Sequence, residues 1–237
     1  MFSYEWLRQQ AGRLGINLSD EQLTLFSRYE ELLVVEGEKF NLTAADSKRL
    51  IPDHFLDSLT AVVGDRLRPD MTIIDIGSGA GLPGIPLKIA FPGLRMTLLE
   101  ARRKRADFLR GVVAELELDR IEVAETRTET AGHNPIFREQ SQLVVARAVA
   151  PMKILLEYAL PLLAVGGALV ALKGPLASAE AAEAEAAALL LGGSAIAVLP
   201  VDLIPEKSRY VVVVDKISGT PAEFPRRIGI PSKRPLK

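Results

Sequence analysis

Apolar positions recur at helical spacing along residues 1–65. Trp6, Leu7 and Leu14 fall in a first segment, and Leu23, Phe26, Tyr29, Leu32 and Leu33 recur at helical spacing in a second. Ser19 and Gln22 stand three residues apart just before that second run, the spacing of a reciprocal N-terminal cap. A third helix is expected over residues 46–63, with a kink or break at Pro52. Nothing in this stretch has the period of a strand.

From Met71 the period changes. Continuous apolar, β-branched runs at 72–76, 96–99, 121–124, 143–146 and 168–172 alternate with helical stretches, the order of a parallel α/β sheet. Runs without one-in-one-out alternation belong to strands covered by helices on both faces. Residues 176–191 are rich in Ala, Glu and Leu and read as a surface helix stopped by Gly192-Gly193. Two final strands, 195–199 and 209–215, lie close enough to pair antiparallel. The segment 217–237 has five basic residues, one acidic residue and four prolines, so it cannot build a core of its own and is expected to order on binding.

Composition adds exclusions. The 237 residues are 48% hydrophobic and 25% charged, with 30 acidic against 29 basic residues, an ordinary globular balance. No cysteine is present, which removes disulfides, thiolate metal sites and a thiol nucleophile together. With only His54 and His133, far apart in sequence, no metal centre is expected. The start MFSYEWLRQQAGRLG lacks a basic region followed by an apolar one, so no secretory leader is expected and the protein is assigned to the cytoplasm. The most apolar window, 159–172, is broken by Pro161 and Gly166-Gly167 and is shorter than the roughly 20 residues that span a bilayer, so no membrane role is expected.

The candidate chemistry centres on Ile73-Ile74-Asp75-Ile76-Gly77-Ser78-Gly79-Ala80-Gly81-Leu82-Pro83-Gly84, a strand that enters a glycine-rich turn and opens a helix from about Pro83. Such a turn lets a ligand approach the backbone, and the helix start offers unpaired N–H groups. Two cofactors compete for it. Gly79, Gly81 and Gly84 satisfy the dinucleotide pattern, with Glu100 following at the next strand's end to meet a ribose. Asp75, Gly77, Gly79 and Gly81 instead satisfy the D-x-G-x-G-x-G signature of S-adenosylmethionine methyltransferases, whose second-strand acid also bonds the ribose. Asp75 favours the second, because the dinucleotide pattern gives no reason for a carboxylate before the turn. A nicotinamide-dependent oxidoreductase and a non-catalytic RNA-binding or assembly factor with the same fold remain the rivals.

Asn41-Leu42-Thr43, His54-Phe55-Leu56-Asp57-Ser58-Leu59 and the glycine turn extended through Leu82-Pro83-Gly84-Ile85-Pro86-Leu87 form a set that Arg147-Ala148-Val149-Ala150, Leu172-Lys173-Gly174 and Pro225-Arg226-Arg227 complete. On these motifs the chain resembles, nearly end to end, the bacterial RsmG (GidB) family, which methylates guanine N7 in small-subunit ribosomal RNA. Ala101, Ala146 and Ile228 depart from the family's usual residues. The resemblance implies a doubly wound α/β fold. Its mostly parallel, seven-stranded S-adenosylmethionine methyltransferase sheet would occupy residues 66–217, after a helical extension (1–65) and before a basic tail (218–237). It further implies that Gly77 and Leu82 line the methionine side of the cofactor, that Glu100 meets the ribose, that Thr128 and Glu129 flank the adenine, and that Arg147 lies beside the cofactor. Ser78 joins these as part of the turn.

Methyl transfer requires positioning above all, and guanine N7 carries a lone pair and no proton, so no general base is needed. Carbon methylation of a pyrimidine ordinarily uses a cysteine, and the loop Ala146 to Pro151 is not the Asn/Asp-Pro-Pro-aromatic sequence usual for exocyclic amines. Arg147, ending an apolar strand, is expected at the ligand edge of the sheet as the positioning cation. His54 divides evenly between a structural role and an RNA contact. Small-subunit ribosomal RNA, free or in an assembling particle, is the expected partner. Its phosphates would meet Arg102, Arg103, Lys104 and Arg105 after the second strand, Lys173, and the tail residues Arg226, Arg227 and Lys233.

Overall fold

The computed structural model describes residues 2–40 and 49–236; the Asn41-Leu42-Thr43 motif and the first residues of the expected third helix lie outside them. Helices α1 (Tyr4–Arg13) and α2 (Asp20–Phe40) come first. Ser19 and Gln22 form the expected reciprocal cap: the Gln22 N–H donates to Ser19 Oγ at 3.2 Å, and the Ser19 N–H donates to Gln22 Oε1 at 2.9 Å. The third helical stretch is tightened and widened in turn. A π-helical turn at Ile51–Leu56 carries Pro52 in its first residues, a single α-turn, α3 (Asp57–Leu59), follows, and a 3-10 turn at Thr60–Gly64 ends it. The proline is thus absorbed by a change of helical pitch at the start of the turn.

Strands and helices then alternate: β1 (Thr72–Ile76), α4 (Gly84–Ala90), β2 (Arg95–Leu99), α5 (Arg103–Glu115), β3 (Ile121–Ala124), α6 (Thr128–Ala131), β4 (Ser141–Arg147) and α7 (Met152–Ala159). The chain continues through β5 (Leu163–Lys173), α8 (Ala177–Leu190), β6 (Ala197–Val201), β7 (Arg209–Asp215) and α9 (Ile230–Lys233). One seven-stranded sheet results, in the order β3-β2-β1-β4-β5-β7-β6. β1 to β5 are parallel, and β7 runs antiparallel to both β5 and β6. Strand order reverses between β1 and β4, and their carboxyl ends therefore border the crevice where open α/β sheets bind ligands.

The continuous apolar runs have the expected cause. Along β1, Ile73 faces a core with Leu7, Phe26, Phe55 and α4 to α5, whereas Ile74 and Ile76 face a second core with α7 and α8. The N-terminal helices thus form one face of the molecule, sharing a core with the sheet through Phe55, which stacks on Tyr29 and packs at a tilt against Phe26. Helix α8 buries Ala177, Ala181, Ala184, Ala187 and Ala188 against the second face. No helix among the described residues is long and apolar enough to cross a membrane.

The C-terminal segment corrects one expectation. It packs against the domain, held by polar contacts that its composition conceals. Arg226 is clamped on Glu157, a fully buried carboxylate, by its own N–H and Nε at 2.8 Å and its Nη2 at 2.6 Å. Arg138 donates to the carbonyls of Thr220 and Phe224, each at 2.8 Å, and His133 Nε2 lies 2.6 Å from the Pro225 carbonyl. Phe224 supplies an apolar anchor in the second core.

Candidate active site

β1 delivers the glycine turn to the crevice, and the three glycines Gly77, Gly79 and Gly81 all take positive φ, at 66°, 60° and 97°. Their reasons differ. A Cβ on Gly81 would stand 2.4 Å from Ile85 Cδ1 and 2.9 Å from the Tyr29 hydroxyl, and one on Gly84 would stand 2.7 Å from Asp75 Oδ2. Packing explains both. At Gly79 the same test meets nothing nearer than the Gly77 carbonyl at 3.7 Å and Arg105 Nη1 at 3.8 Å. Gly79 alone of these presents bare backbone to open space, as a ligand-facing position requires.

The turn is braced from three sides. Asp75, fully buried, accepts the Gly84 N–H on Oδ2 at 3.1 Å, while its Oδ1 has no hydrogen-bond partner among the described residues. Burial pushes its carboxyl up to about 7, partly opposed by the Gly84 hydrogen bond. Glu100, at the end of β2, accepts the Gly79 N–H at 3.0 Å and the Arg102 N–H at 2.7 Å. From behind, Tyr29 of α2 donates its hydroxyl to the Ala80 carbonyl at 2.6 Å. An open glycine, an acid beside it and a helix start together fit a nucleoside-bearing cofactor. Of the residues that the sequence reading assigns to a cofactor, Gly77, Ser78, Gly79 and Leu82 lie on this turn and Glu100 bonds it. Thr128 and Glu129 begin α6 at the end of β3, where Glu129 is buried and accepts the Gly229 N–H of the tail at 3.0 Å.

Beside the turn lies a cavity of about 710 Å³ between the carboxyl ends of β4 and β5 and the third helical stretch. Val149 joins the two spaces: it lines the cavity and stands 3.2 Å from where a Cβ on Gly77 would be. The wall is a network of charges. Arg147 Nη1 donates to Asp57 Oδ2 at 2.9 Å and to the Asp53 carbonyl at 3.0 Å, and Arg209 Nε donates to Asp57 Oδ1 at 3.1 Å. Asp53 holds Arg49 at 3.0 Å and also Lys207, and these contacts hold its carboxyl below the usual range against the effect of burial. Arg147 Nη2 lies 2.5 Å from His54 Nδ1. A guanidinium only donates, so His54 accepts at Nδ1 and is neutral; burial and the neighbouring Arg147 lower its pKa to about 3.

The expected RNA-facing cations separate. Arg102, Arg103 and Lys104 are exposed at the start of α5, as are Arg227 and Lys233 on the tail. Lys173 turns inward to Glu180 at 2.7 Å and the Ala150 carbonyl at 2.6 Å, and Arg226 is occupied by Glu157. Arg105 is half-buried and turned toward Gly79. Tyr29, Asp53, Asp57, Lys207 and Arg209 carried no site assignment in the sequence reading. The available signal was Asp53 and Asp57, four residues apart on a largely apolar helical stretch, a spacing that points two carboxylates at one partner face.

Residues 22–203 match the family model described as rRNA small subunit methyltransferase G. The chain belongs to this family. Among its relatives, the ribosomal RNA small subunit methyltransferase G of Chloroflexus aggregans is 48% identical across 94% of this chain and 93% of the relative. That of Alkaliphilus oremlandii is 39% identical across 98% of each. Of solved structures, an S-adenosylmethionine-dependent methyltransferase from Aquifex aeolicus superposes with a TM-score of 0.51 at 16% identity, over 71% of this chain and 93% of the other. The methyltransferase SibL in its apo form gives 0.55 at 17% identity, over 68% of this chain and 55% of the other. At such identities the structures attest the fold, a methyltransferase sheet with its reversed last strand, and the family membership rests on the sequence relatives.

Proposed function

We propose that this protein transfers the methyl group of S-adenosylmethionine to N7 of a guanine in small-subunit ribosomal RNA, within the cytoplasm, on free RNA or on an assembling small subunit. One observation carries the reading: the aspartate-braced glycine turn, open at Gly79, meets a cavity lined by strand-end side chains through Val149. The turn holds the donor, with Gly77 and Leu82 on its methionine side, Glu100 at the ribose, and Thr128 and Glu129 at the adenine. The cavity receives the acceptor base. When bound, the cofactor supplies an electrophilic methyl group on a sulfonium.

The residues present suit an acceptor that needs no deprotonation. Guanine N7 offers a lone pair, so the new N–C bond forms as the S–C bond breaks and no side chain has to take a proton. His54 is neutral but has its Nδ1 lone pair engaged by Arg147, which suits a fixed wall better than a proton shuttle. The purine becomes cationic on methylation. Arg147 and Arg209 each contact Asp57 and Lys207 contacts Asp53, so that charge arrives beside cations that each have a carboxylate partner. Arg102, Arg103 and Lys104 on α5, with Arg227 and Lys233 on the tail, are the exposed cations available to RNA phosphates.

Incubation with small-subunit ribosomal RNA and methyl-labelled S-adenosylmethionine, followed by borohydride and aniline cleavage of the RNA, tests the proposal. Cleavage at a labelled guanine is expected. Label on an exocyclic amine, a pyrimidine carbon or a protein side chain would overturn it.

A further inference from the structure

Of the four consecutive cations that open α5, three point to solvent and one does not. Arg105 is half-buried, and its Nη1 lies 3.8 Å from the position a Cβ on Gly79 would take, the one open direction in the glycine turn. Its neighbours Arg103 and Arg110 pair with Asp107, whereas Arg105 has no carboxylate partner among the described residues. On the same glycine, the Gly79 N–H is taken by Glu100 at 3.0 Å. An arginine and a glutamate therefore flank one patch of bare backbone from two directions without bonding each other.

Their chemistries are complementary toward a particular group. An ionised carboxylate only accepts hydrogen bonds and keeps lone pairs free after taking two N–H groups, while a guanidinium only donates. A hydroxyl satisfies both at once, donating to one and accepting from the other. A carboxylate in the same place would gain from Arg105 and be repelled by Glu100. A phosphate would be repelled likewise. Resting on the cofactor reading above, we infer that Arg105 donates to the ribose hydroxyl oxygens of the cofactor whose hydrogens Glu100 accepts. Arg105 thereby belongs to the cofactor site, and the RNA-facing set at this helix is Arg102, Arg103 and Lys104. An Arg–Glu pair held apart by a glycine selects a diol.

The test is Arg105→Ala, a substitution that keeps a strong helix former on a partly exposed helix and so leaves the fold in place. Affinities of wild type and variant are measured by calorimetry for S-adenosylhomocysteine and for 5′-methylthioadenosine, which keeps the ribose and lacks the amino acid. Binding of a small-subunit ribosomal RNA fragment is measured beside them. Loss of a charge-assisted hydrogen bond at a half-exposed site predicts a fall of about tenfold for both nucleosides, with RNA affinity little changed. A loss confined to S-adenosylhomocysteine would mean a contact to the ligand carboxylate and overturn the inference. Unchanged nucleoside affinities with weakened RNA binding would return Arg105 to the RNA-facing set and overturn it as well. Failure of the wild type to bind either nucleoside would overturn the cofactor reading itself, and this inference with it.

Discussion

Removing one oxygen atom, in Tyr29→Phe, tests whether the N-terminal helices are part of the cofactor site. The Tyr29 hydroxyl donates to the Ala80 carbonyl at 2.6 Å, and the ring is fully buried and stacked on Phe55 at 5.5 Å between centroids. Burial holds the phenol above its ordinary value, so it remains a protonated donor at every working pH. Phenylalanine keeps the stacking and leaves a buried carbonyl without its partner, a cost of about 1–3 kcal/mol. With a urea slope of about 3 kcal/mol per molar, a loss of about 2 kcal/mol lowers the unfolding midpoint by about 0.7 M. The hydroxyl also stands 2.9 Å from where a Cβ on Gly81 would be, so the turn rests directly against it. Once freed, the turn must be re-ordered by the ligand, and each 1.4 kcal/mol of that ordering weakens binding tenfold. The assay is urea unfolding of the variant in parallel with calorimetric titration by S-adenosylhomocysteine. A lowered midpoint and a weaker Kd are both expected. A lowered midpoint with unchanged Kd would refute the coupling between helix and turn, and no change in either would refute the hydrogen bond.

Five further outcomes follow from the same geometry. Gly79→Val adds a side chain in the open direction of the turn at a φ of 60°; calorimetry should find cofactor binding lost while circular dichroism finds the fold kept. Arg226→Ala strands the buried Glu157 carboxylate and should cost about 3 kcal/mol of stability with little effect on the salt dependence of RNA binding. Replacing exposed Arg227 and Lys233 should instead leave stability alone and reduce the salt slope by roughly 0.7–0.9 per phosphate contact. His54→Ala should leave single-turnover methylation within about tenfold, short of the 10²–10⁴-fold that losing a proton-transfer catalyst brings. Asp75, whose carboxyl is raised from 3.8 to about 7 by burial, keeps its proton in the folded chain over a range where the unfolded chain has lost it. Its contribution is therefore full below about pH 4 and declines toward pH 7, so Asp75→Asn, still able to accept from Gly84, should gain on wild type across that window by on the order of 4 kcal/mol in urea midpoints; a pH-independent difference would contradict the burial argument.

The parts of the fold written in local pattern were legible in the sequence. Strands covered on both faces leave continuous apolar runs, and the last two strands fall where turn residues separate them. Ser19 and Gln22 announce their cap because both halves of the contact sit within one turn. The tail was misjudged for the converse reason. Its order depends on Arg226 meeting Glu157, 69 residues earlier, and on Arg138 meeting Thr220, 82 residues later. Composition counts apolar side chains, and this segment is fixed mainly by buried polar ones. Gly79 shows the limit from another side: the spacing marks Gly79, Gly81 and Gly84 alike, and only the neighbours in space separate the glycine open to space from the two that packing requires.

The strand-end charges show why the acceptor side of the site was the least legible. Arg147 could be placed at the sheet's ligand edge because it ends an apolar strand, yet its partners lie 90 and 93 residues upstream at Asp57 and His54. Arg209 reaches Asp57 across 152 residues and Lys207 reaches Asp53 across 154. A helix carrying two carboxylates one turn apart thus gathers cations from β4, from the loop before β7 and from the first residue of β7 into one wall. Breaking any one of these contacts would leave a charge in a poorly solvated place, which is strongly unfavourable, so the network holds its members in fixed geometry whether or not each adds net stability. That rigidity suits a reaction whose barrier is lowered chiefly by alignment of donor and acceptor. It also gives the N-terminal helices two holds on the proposed site: Tyr29 bonds the glycine turn, and Asp57 bonds the arginine that borders the cavity.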